Sequence, residues 1–325
     1  GMGFSTELMI NENNIDPNEF LTISNEYLNI NNYHIFENPN ELSIQHIDCL
    51  AKLVNSETVI IKQVSELSPE YECIEQFADS FYQLNTFYDR PFKIHRIYCP
   101  DISGGSWETN PVAAYTNSLI LNNKVLVPQY GISEDLDALE TYRQAMPGYD
   151  VIGFNDLSSA SPWYGEDALH CRTMGIFDPD MVHISHRSIR TEEIVNNASI
   201  NINVEAIDYE NGNINSIVLY WKYSSEDGPY NTISFYQQQG NFYTTNFPSL
   251  NSNSSIDYYI EATNNLGNRS YHPNAGWHVF STLDSLLGDI NLDNNVNVLD
   301  IVNVVNIILG INNYNILADI NLDDE

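Results

Sequence analysis

Apolar residues recur at two different periods along the chain, and the change from one to the other divides it. Up to about residue 185, stretches with helical spacing, Glu70 to Leu84 and Glu134 to Ala145, alternate with short apolar runs, Thr58-Val-Ile-Ile-Lys62 and Val151-Ile-Gly-Phe154. Ser118-Leu-Ile-Leu-Asn-Asn-Lys-Val-Leu-Val127 reads as two strands about an Asn-Asn turn. Alternation of this kind predicts α/β layering for residues 1–185.

Beyond a linker at 186–195 the period shortens to two. Ser216-Ile-Val-Leu-Tyr-Trp-Lys-Tyr223, Asn241-Phe-Tyr-Thr-Thr-Asn-Phe247 and Ile256-Asp-Tyr-Tyr-Ile-Glu-Ala262 are separated by turn clusters at 224–228 and 264–267. Short strands at regular spacing predict a β-sandwich of immunoglobulin type over 196–282. From 283 to 325 the pattern changes again. Gly288-Asp-Ile-Asn-Leu-Asp293 is echoed by Ala318-Asp-Ile-Asn-Leu-Asp323, and Val298 to Leu309 is apolar at helical spacing before Gly310.

Composition narrows the choice of partner. The 325 residues carry 44 Asp+Glu against 12 Lys+Arg, a formal net charge of −32, yet 42% are hydrophobic and 12% aromatic. That supports packed cores rather than a disordered acidic tail. The charge repels phosphate backbones and anionic membrane surfaces, so it argues against nucleic-acid binding and favours a cationic substrate, although solubility alone would account for it. No apolar run approaches the roughly 18 residues of a membrane span, and the first residues lack the basic and apolar regions of a signal peptide. The cysteines, Cys49, Cys73, Cys99 and Cys171, form no CxxC pair, which argues against structural zinc and leaves a thiol for chemistry.

Asp289, Asn291, Asp293, Asn297 and Asp300 occupy positions 1, 3, 5, 9 and 12 of a calcium-loop pattern, where oxygen ligands wrap a hard cation. Asp319, Asn321 and Asp323 begin a second such loop. An Asx-rich turn ahead of a helix is the plainer reading of the same residues. The pattern resembles a dockerin-type module, which implies bound Ca2+ and attachment to a cohesin-like partner. The resemblance covers one full repeat and the start of a second.

Three segments of the α/β region carry candidate chemistry. In Gln45-His-Ile-Asp-Cys49, a strand would point His46 and Asp48 to one face. Tyr115-Thr-Asn-Ser118 places a polar Asn117 among apolar residues. Gly165-Glu-Asp-Ala-Leu-His-Cys-Arg-Thr173 places Cys171 beside His170, which on a strand would point the opposite way, so Cys171 needs a distant base. Taken singly, these read as a structural hydrogen bond, a turn residue and a buried thiol.

Together and in order, the blocks Gln45-His-Ile-Asp48, Ala114-Tyr-Thr-Asn-Ser-Leu-Ile-Leu-Asn-Asn-Lys-Val-Leu-Val-Pro-Gln-Tyr-Gly131 and Ala168-Leu-His-Cys-Arg-Thr173 resemble the Porphyromonas-type peptidyl-arginine deiminase and agmatine deiminase family of the pentein superfamily. The resemblance runs to about Phe177. It implies a pentein α/β propeller, of which about three of five blades are present. It also implies Cys171 as nucleophile, His46 as general acid/base, Asp48 as a guanidinium-binding carboxylate and Asn117 as an active-site polar residue, with no cofactor for catalysis. A second guanidinium-binding Asp, which in the family lies upstream in an Arg-Asp-x-Gly-Pro-like segment, has no match here. The chain is therefore expected to begin partway through the catalytic domain, to stop inside its last repeat, and to have little activity as it stands.

The expected reaction is deimination of peptidyl-arginine, with agmatine deimination as the alternative in the same chemistry. The accessory modules point to a secreted or cell-surface protein. A non-catalytic adhesion or scaffold protein and a His–Cys protease are the readings from other classes; Cys171 lacks the sequence context of caspase-like or papain-like proteases.

Overall fold

The run Thr58 to Lys62 is buried throughout, which a strand covered on both faces requires and an amphipathic helix would not. The computed structural model describes the chain apart from residues 38–45, 103–111, 156–162, 164–167, 177, 179, 192–193, 195–198, 210–212, 283–286, 292–294, 313–314 and 320–325. It divides into two compact units, Gly1–Ile176 and Phe177–Glu325.

In the first unit, β1 (Met2–Thr6), α1 (Leu8–Asn13), α2 (Pro17–Leu28) and β2 (Asn32–Phe36) form a parallel strand pair joined through helices. A one-turn helix α3 (Ile47–Leu50) then leads into β3 (Ala51–Leu53), β4 (Thr58–Gln63), α4 (Tyr71–Tyr82) and β5 (Lys93–Tyr98). In that sheet β3 pairs antiparallel with β4, and β5 returns parallel to β4 after the helix. The same order recurs in β6 (Leu119–Leu121), β7 (Lys124–Gln129), α5 (Asp135–Ala145) and β8 (Asp150–Asn155): a hairpin, a helix, then a parallel strand. Asn122 makes the hairpin turn with φ 53, a left-handed conformation that Asn tolerates.

Helix α4 buries Ile74, Phe77, Ala78 and Phe81, one face at helical spacing, and α5 buries Ala138, Leu139, Tyr142 and Ala145. Together with Val59, Ile60, Ile61, Val125 and Val127 from the strands they make one continuous core. Each Val, Ile, Leu or Phe among them contributes about 1.5–3 kcal/mol when fully buried.

In the second unit two antiparallel sheets share a core. One orders β13 (Tyr236–Gln239), β14 (Phe242–Asn246), β10 (Asn201–Asp208) and β9 (Val182–His186). The other orders β12 (Asn231–Ser234), β11 (Ile214–Tyr223), β15 (Ser254–Asn264) and β16 (Arg269–His272), with β17 (His278–Thr282) also on β15. Alternate residues Ile217, Leu219 and Trp221 of β11 and Ile256, Tyr258, Ile260 and Ala262 of β15 point inward, as a half-buried strand requires. One expectation is corrected here. Residues 182–186, read from sequence as the end of the first region and the start of a linker, form a strand registered against β10, with His186 opposite Val204. The sandwich therefore begins before residue 186. The last described helix, α6 (Val298–Ile308), opens on a capping box in which the Asn297 side chain and Asp300 cap each other's backbone.

Candidate active site

Asp48 stands on α3, which has a single turn. It is held because Cys49 and Leu50 are buried behind it and Ala51 continues directly into β3. Asn117 lies in a loop, Tyr115 to Ser118, that is wholly buried, so the Asn117 amide finds its partners within the protein, while the Thr116 hydroxyl has none among the described residues. The Tyr142 hydroxyl of α5 lies 2.9 Å from the Tyr115 carbonyl and 2.8 Å from Ser118 Oγ, and Lys52 Nζ of β3 donates to the Ser118 carbonyl at 2.7 Å. Tyr115 in turn donates to Asp135 at 2.7 Å, and the same carboxylate accepts the backbone N–H groups of Tyr130, Gly131 and Ile132 at the start of α5. Cys171 sits in a 3-10 turn, His170–Arg172, which follows the buried Ala168 and Leu169 and is pinned by the His170 N–H donating to the Asn117 carbonyl at 3.1 Å.

The Asn117 amide organises the three segments. Its Nδ2 donates to Asp48 Oδ2 at 2.8 Å and to Cys171 Sγ at 3.0 Å. Its Oδ1 accepts the backbone N–H groups of Ala168 and Cys171, each at 3.2 Å. All four hydrogen-bonding positions of one amide are thereby committed, and the amide cannot be flipped without losing every one of them.

Asp48 Oδ2 also receives His170 Nδ1 at 2.7 Å and the Cys171 thiol at 3.5 Å. A carboxylate only accepts, so the proton lies on Nδ1 of His170. Burial opposes ionisation of Asp48, but the His170 hydrogen bond and charge, with the thiol, outweigh it and hold the carboxyl below its ordinary range. The thiol of Cys171 is likewise lowered, chiefly by a hydrogen bond from Cys49 and, against partial burial and the charge of Asp48, by Asn117. Lys52 is pulled down from 10.5 to about 8 by burial, while the charges of Asp48 and Cys171 resist that fall. The group of residues therefore favours a thiolate on an exposed cysteine, which is the form that acts as a nucleophile.

Sequence reasoning placed Asp48, Asn117 and Cys171 together, and the structure brings these three into contact. His46 is different. Residues 47–50 are helical with His46 as the N-cap, so the alternation of a strand does not apply. Two residues on a helix diverge by about 200°. His46 is exposed, and none of the described hydrogen bonds joins it to the other three. His170, set aside on the premise of a strand, is the imidazole on Asp48, because a 3-10 turn lets neighbouring side chains reach the same site. Cys49 and Lys52 were missed as well. A lysine inside the apolar run Leu50-Ala-Lys-Leu-Val54 was the available signal.

The Asp48, Cys49 and Cys171 ligand atoms lie within 4.8 Å of one another, the one such group among the described residues. Their chemistry would suit a soft metal. The two Asn117 N–H groups already donate to that oxygen and sulphur and so favour their anionic forms.

In the second unit Asp289, Asp300 and Asp319 are 1%, 2% and 4% exposed. Asp300 accepts the N–H groups of Ile290, Asn291 and Asn297, and Asn297 Oδ1 accepts that of Leu299. The Gly288 N–H donates to the Leu317 carbonyl at 2.7 Å. Asp293, Asn321 and Asp323 lie outside the described residues.

Residues 11–176 match the family model of the Porphyromonas-type peptidyl-arginine deiminase. A protein of Lactococcus lactis subsp. lactis named "Putative agmatine deiminase" is 30% identical over 148 residues, 39% of this chain and 39% of that one. A protein of Enterococcus faecalis with the same name is 28% identical over 145 residues, again 39% of each. The chain thus spans about two fifths of the length of the curated relatives it matches. The solved agmatine deiminase of Enterococcus faecalis aligns with a TM-score of 0.45 at 23% identity, covering 52% of each chain.

Proposed function

Because the chain belongs to the Porphyromonas-type peptidyl-arginine deiminase family, we propose that it carries the thiolate half of a guanidinium-hydrolysing site, with Cys171 as nucleophile and Asp48 as the carboxylate that receives the substrate. The observation that carries this reading is the Asn117 amide, which donates to both groups at 2.8 and 3.0 Å and so fixes the sulphur beside the carboxylate.

A guanidinium keeps its proton at physiological pH and presents forked N–H donors, which a carboxylate pairs with well. The three donors to Asp48 described above act on Oδ2, and none of them on Oδ1. With the substrate so held, the Cys171 thiolate adds to the central carbon and the carbon–nitrogen bond to one terminal nitrogen breaks once that nitrogen takes a proton, releasing ammonia. Water then adds to the thiouronium carbon, loses a proton, and the carbon–sulphur bond breaks to give a neutral ureido group and the thiolate. His46 is the proton carrier by resemblance; His170 is the imidazole in contact with Asp48, at 2.7 Å. As a competitor for Oδ2, His170 yields that oxygen when a guanidinium takes two-point contact.

Peptidyl-arginine is the preferred substrate, because a β-sandwich and a docking tail suit an extracellular, attached enzyme. Agmatine is the second reading, favoured by the names of the two curated relatives. The propeller architecture of the first unit, an immunoglobulin-like sandwich, a dockerin-like tail with a cohesin-like partner, and a secreted or cell-surface location are parts of the same proposal. Calcium in the tail is supported by three nearly buried carboxylates, Asp289, Asp300 and Asp319, in a segment with no basic residue. Asp289, Asn291 and Asp300 would supply oxygen ligands there.

The deciding experiment is to incubate the protein with an arginine peptide, agmatine and free arginine, following ammonia release and conversion to the ureido product by mass spectrometry. Slow turnover of one of the three, reduced because the second guanidinium-binding Asp of the family has no match in this chain, that vanishes in Cys171→Ala is the expected result. Undiminished turnover in that variant, or peptide-bond cleavage in place of deimination, overturns the reading.

A further inference from the structure

We propose that Cys49 is a resolving thiol for Cys171, so that a hydroperoxide converts the pair to a disulfide and reversibly removes the nucleophile. Cys171 is exposed and Cys49 is 3% exposed, yet their sulphurs lie within 4.8 Å of each other and of the Asp48 carboxylate. A disulfide needs about 2 Å between sulphurs. Cys49 stands on a one-turn helix and Cys171 in a 3-10 turn, so a change of side-chain rotamer on either residue covers most of the difference. The hydrogen bond from Cys49 to Cys171 shows that the two thiols already face each other.

The asymmetry of exposure sets the order of events. Of the pair, peroxide reaches Cys171, whose thiolate displaces the distal oxygen: a sulphur–oxygen bond forms, the oxygen–oxygen bond breaks, and the alkoxide takes a proton to leave as alcohol, or as water from hydrogen peroxide. The Cys49 thiol gives up its proton and attacks the sulfenic sulphur. A sulphur–sulphur bond forms, the sulphur–oxygen bond breaks, and hydroxide leaves with that proton as water. One peroxide is reduced and two thiols are oxidised; a thiol reductant reverses the disulfide. Cys99 offers a contrast within the same unit, since burial pushes its thiol up to about 11 and keeps it from this chemistry.

The inference rests on the proposed role of Cys171 only for its effect on turnover; the bond itself is read without substrate. The test treats the full chain with hydrogen peroxide and maps peptides by mass. The expected result is a Cys49–Cys171 cross-linked peptide lighter by two hydrogens, lost on reduction. In Cys49→Ser the same dose takes Cys171 to the sulfinic acid, which a thiol reductant does not restore. Oxidation of Cys171 to sulfinic acid in the unaltered protein with no cross-link overturns the proposal, as does a cross-link from Cys171 to Cys73 or Cys99. Failure of the cross-link with turnover intact overturns the switch alone. A cross-link in a protein whose turnover is undiminished by Cys171→Ala upholds the switch and overturns the hydrolase reading.

Discussion

Asn117 donates to both Asp48 and Cys171 and, after Cys49, helps lower the Cys171 thiol, so changing its donors changes the charge on that sulphur. Asn117→Asp replaces two N–H donors by a carboxylate beside Asp48 and Cys171. The pH at which Cys171 alkylates with iodoacetamide at half its maximal rate is expected to rise, and turnover to fall about 100-fold, the penalty of a misplaced reacting group. Lys52 works the other way. Its charge favours the ionised forms of Asp48 and Cys171, so Lys52→Met should also move the Cys171 alkylation midpoint upward. Since Lys52 titrates near 8 in the folded chain against 10.5 unfolded, the unfolded chain binds the extra proton between those values and folding stability rises with pH across that window. Lys52→Met flattens the rise, which urea titrations at several pH values measure. Little of this was legible in advance. A sequence shows Cys171 and Asp48 as types of residue, but the His170 bond to Asp48 spans 122 positions and no local pattern reports it.

Among elements, the ones read correctly are those whose burial is either periodic or continuous. Thr58 to Lys62 was recognisable because every residue suits a covered strand, and α4 because Ile74, Phe77 and Phe81 share one face. Phe81→Ala should cost about 3–5 kcal/mol, measured by chemical denaturation, because the ring is fully buried and stacks on Phe4 and Phe36. The element that misled was α3. Four residues are too few to show a helical period, so His46 and Asp48 looked like neighbours on a strand. The boundary at β9 misled for a related reason, since pairing with β10 is a long-range fact that the alternation of Val182-His-Ile-Ser-His186 does not state. Where α5 supports the active-site loop, Tyr142→Phe removes a buried hydroxyl placed between the Tyr115 carbonyl and Ser118 Oγ. A loss of about 1–3 kcal/mol is expected from the unsatisfied carbonyl, with turnover falling further than stability because Asn117 lies between those two contacts.

For the molecule as a whole, 44 acidic against 12 basic residues make self-repulsion a standing cost to the folded state. Added salt should therefore raise the melting temperature while lowering kcat/KM for an arginine peptide, because it screens the repulsion and the attraction of the cationic substrate together. Calcium is expected to raise the melting temperature beyond an equal ionic strength of sodium, and Asp289→Ala to abolish that excess; scanning calorimetry reads both. The overall division into an α/β part and a β-sandwich was legible because the apolar period itself changes along the chain. The site was not, beyond its residue types, because it is assembled from positions that lie 54, 69 and 123 residues apart. That separation also governs when the site comes into being. Contacts of such long range form late in folding. Until residues 48, 117 and 171 have met, Cys171 lacks the donors that favour its thiolate and behaves as an ordinary thiol. A newly made chain is thus chemically quiet, and its reactivity is switched on by the completion of its own fold.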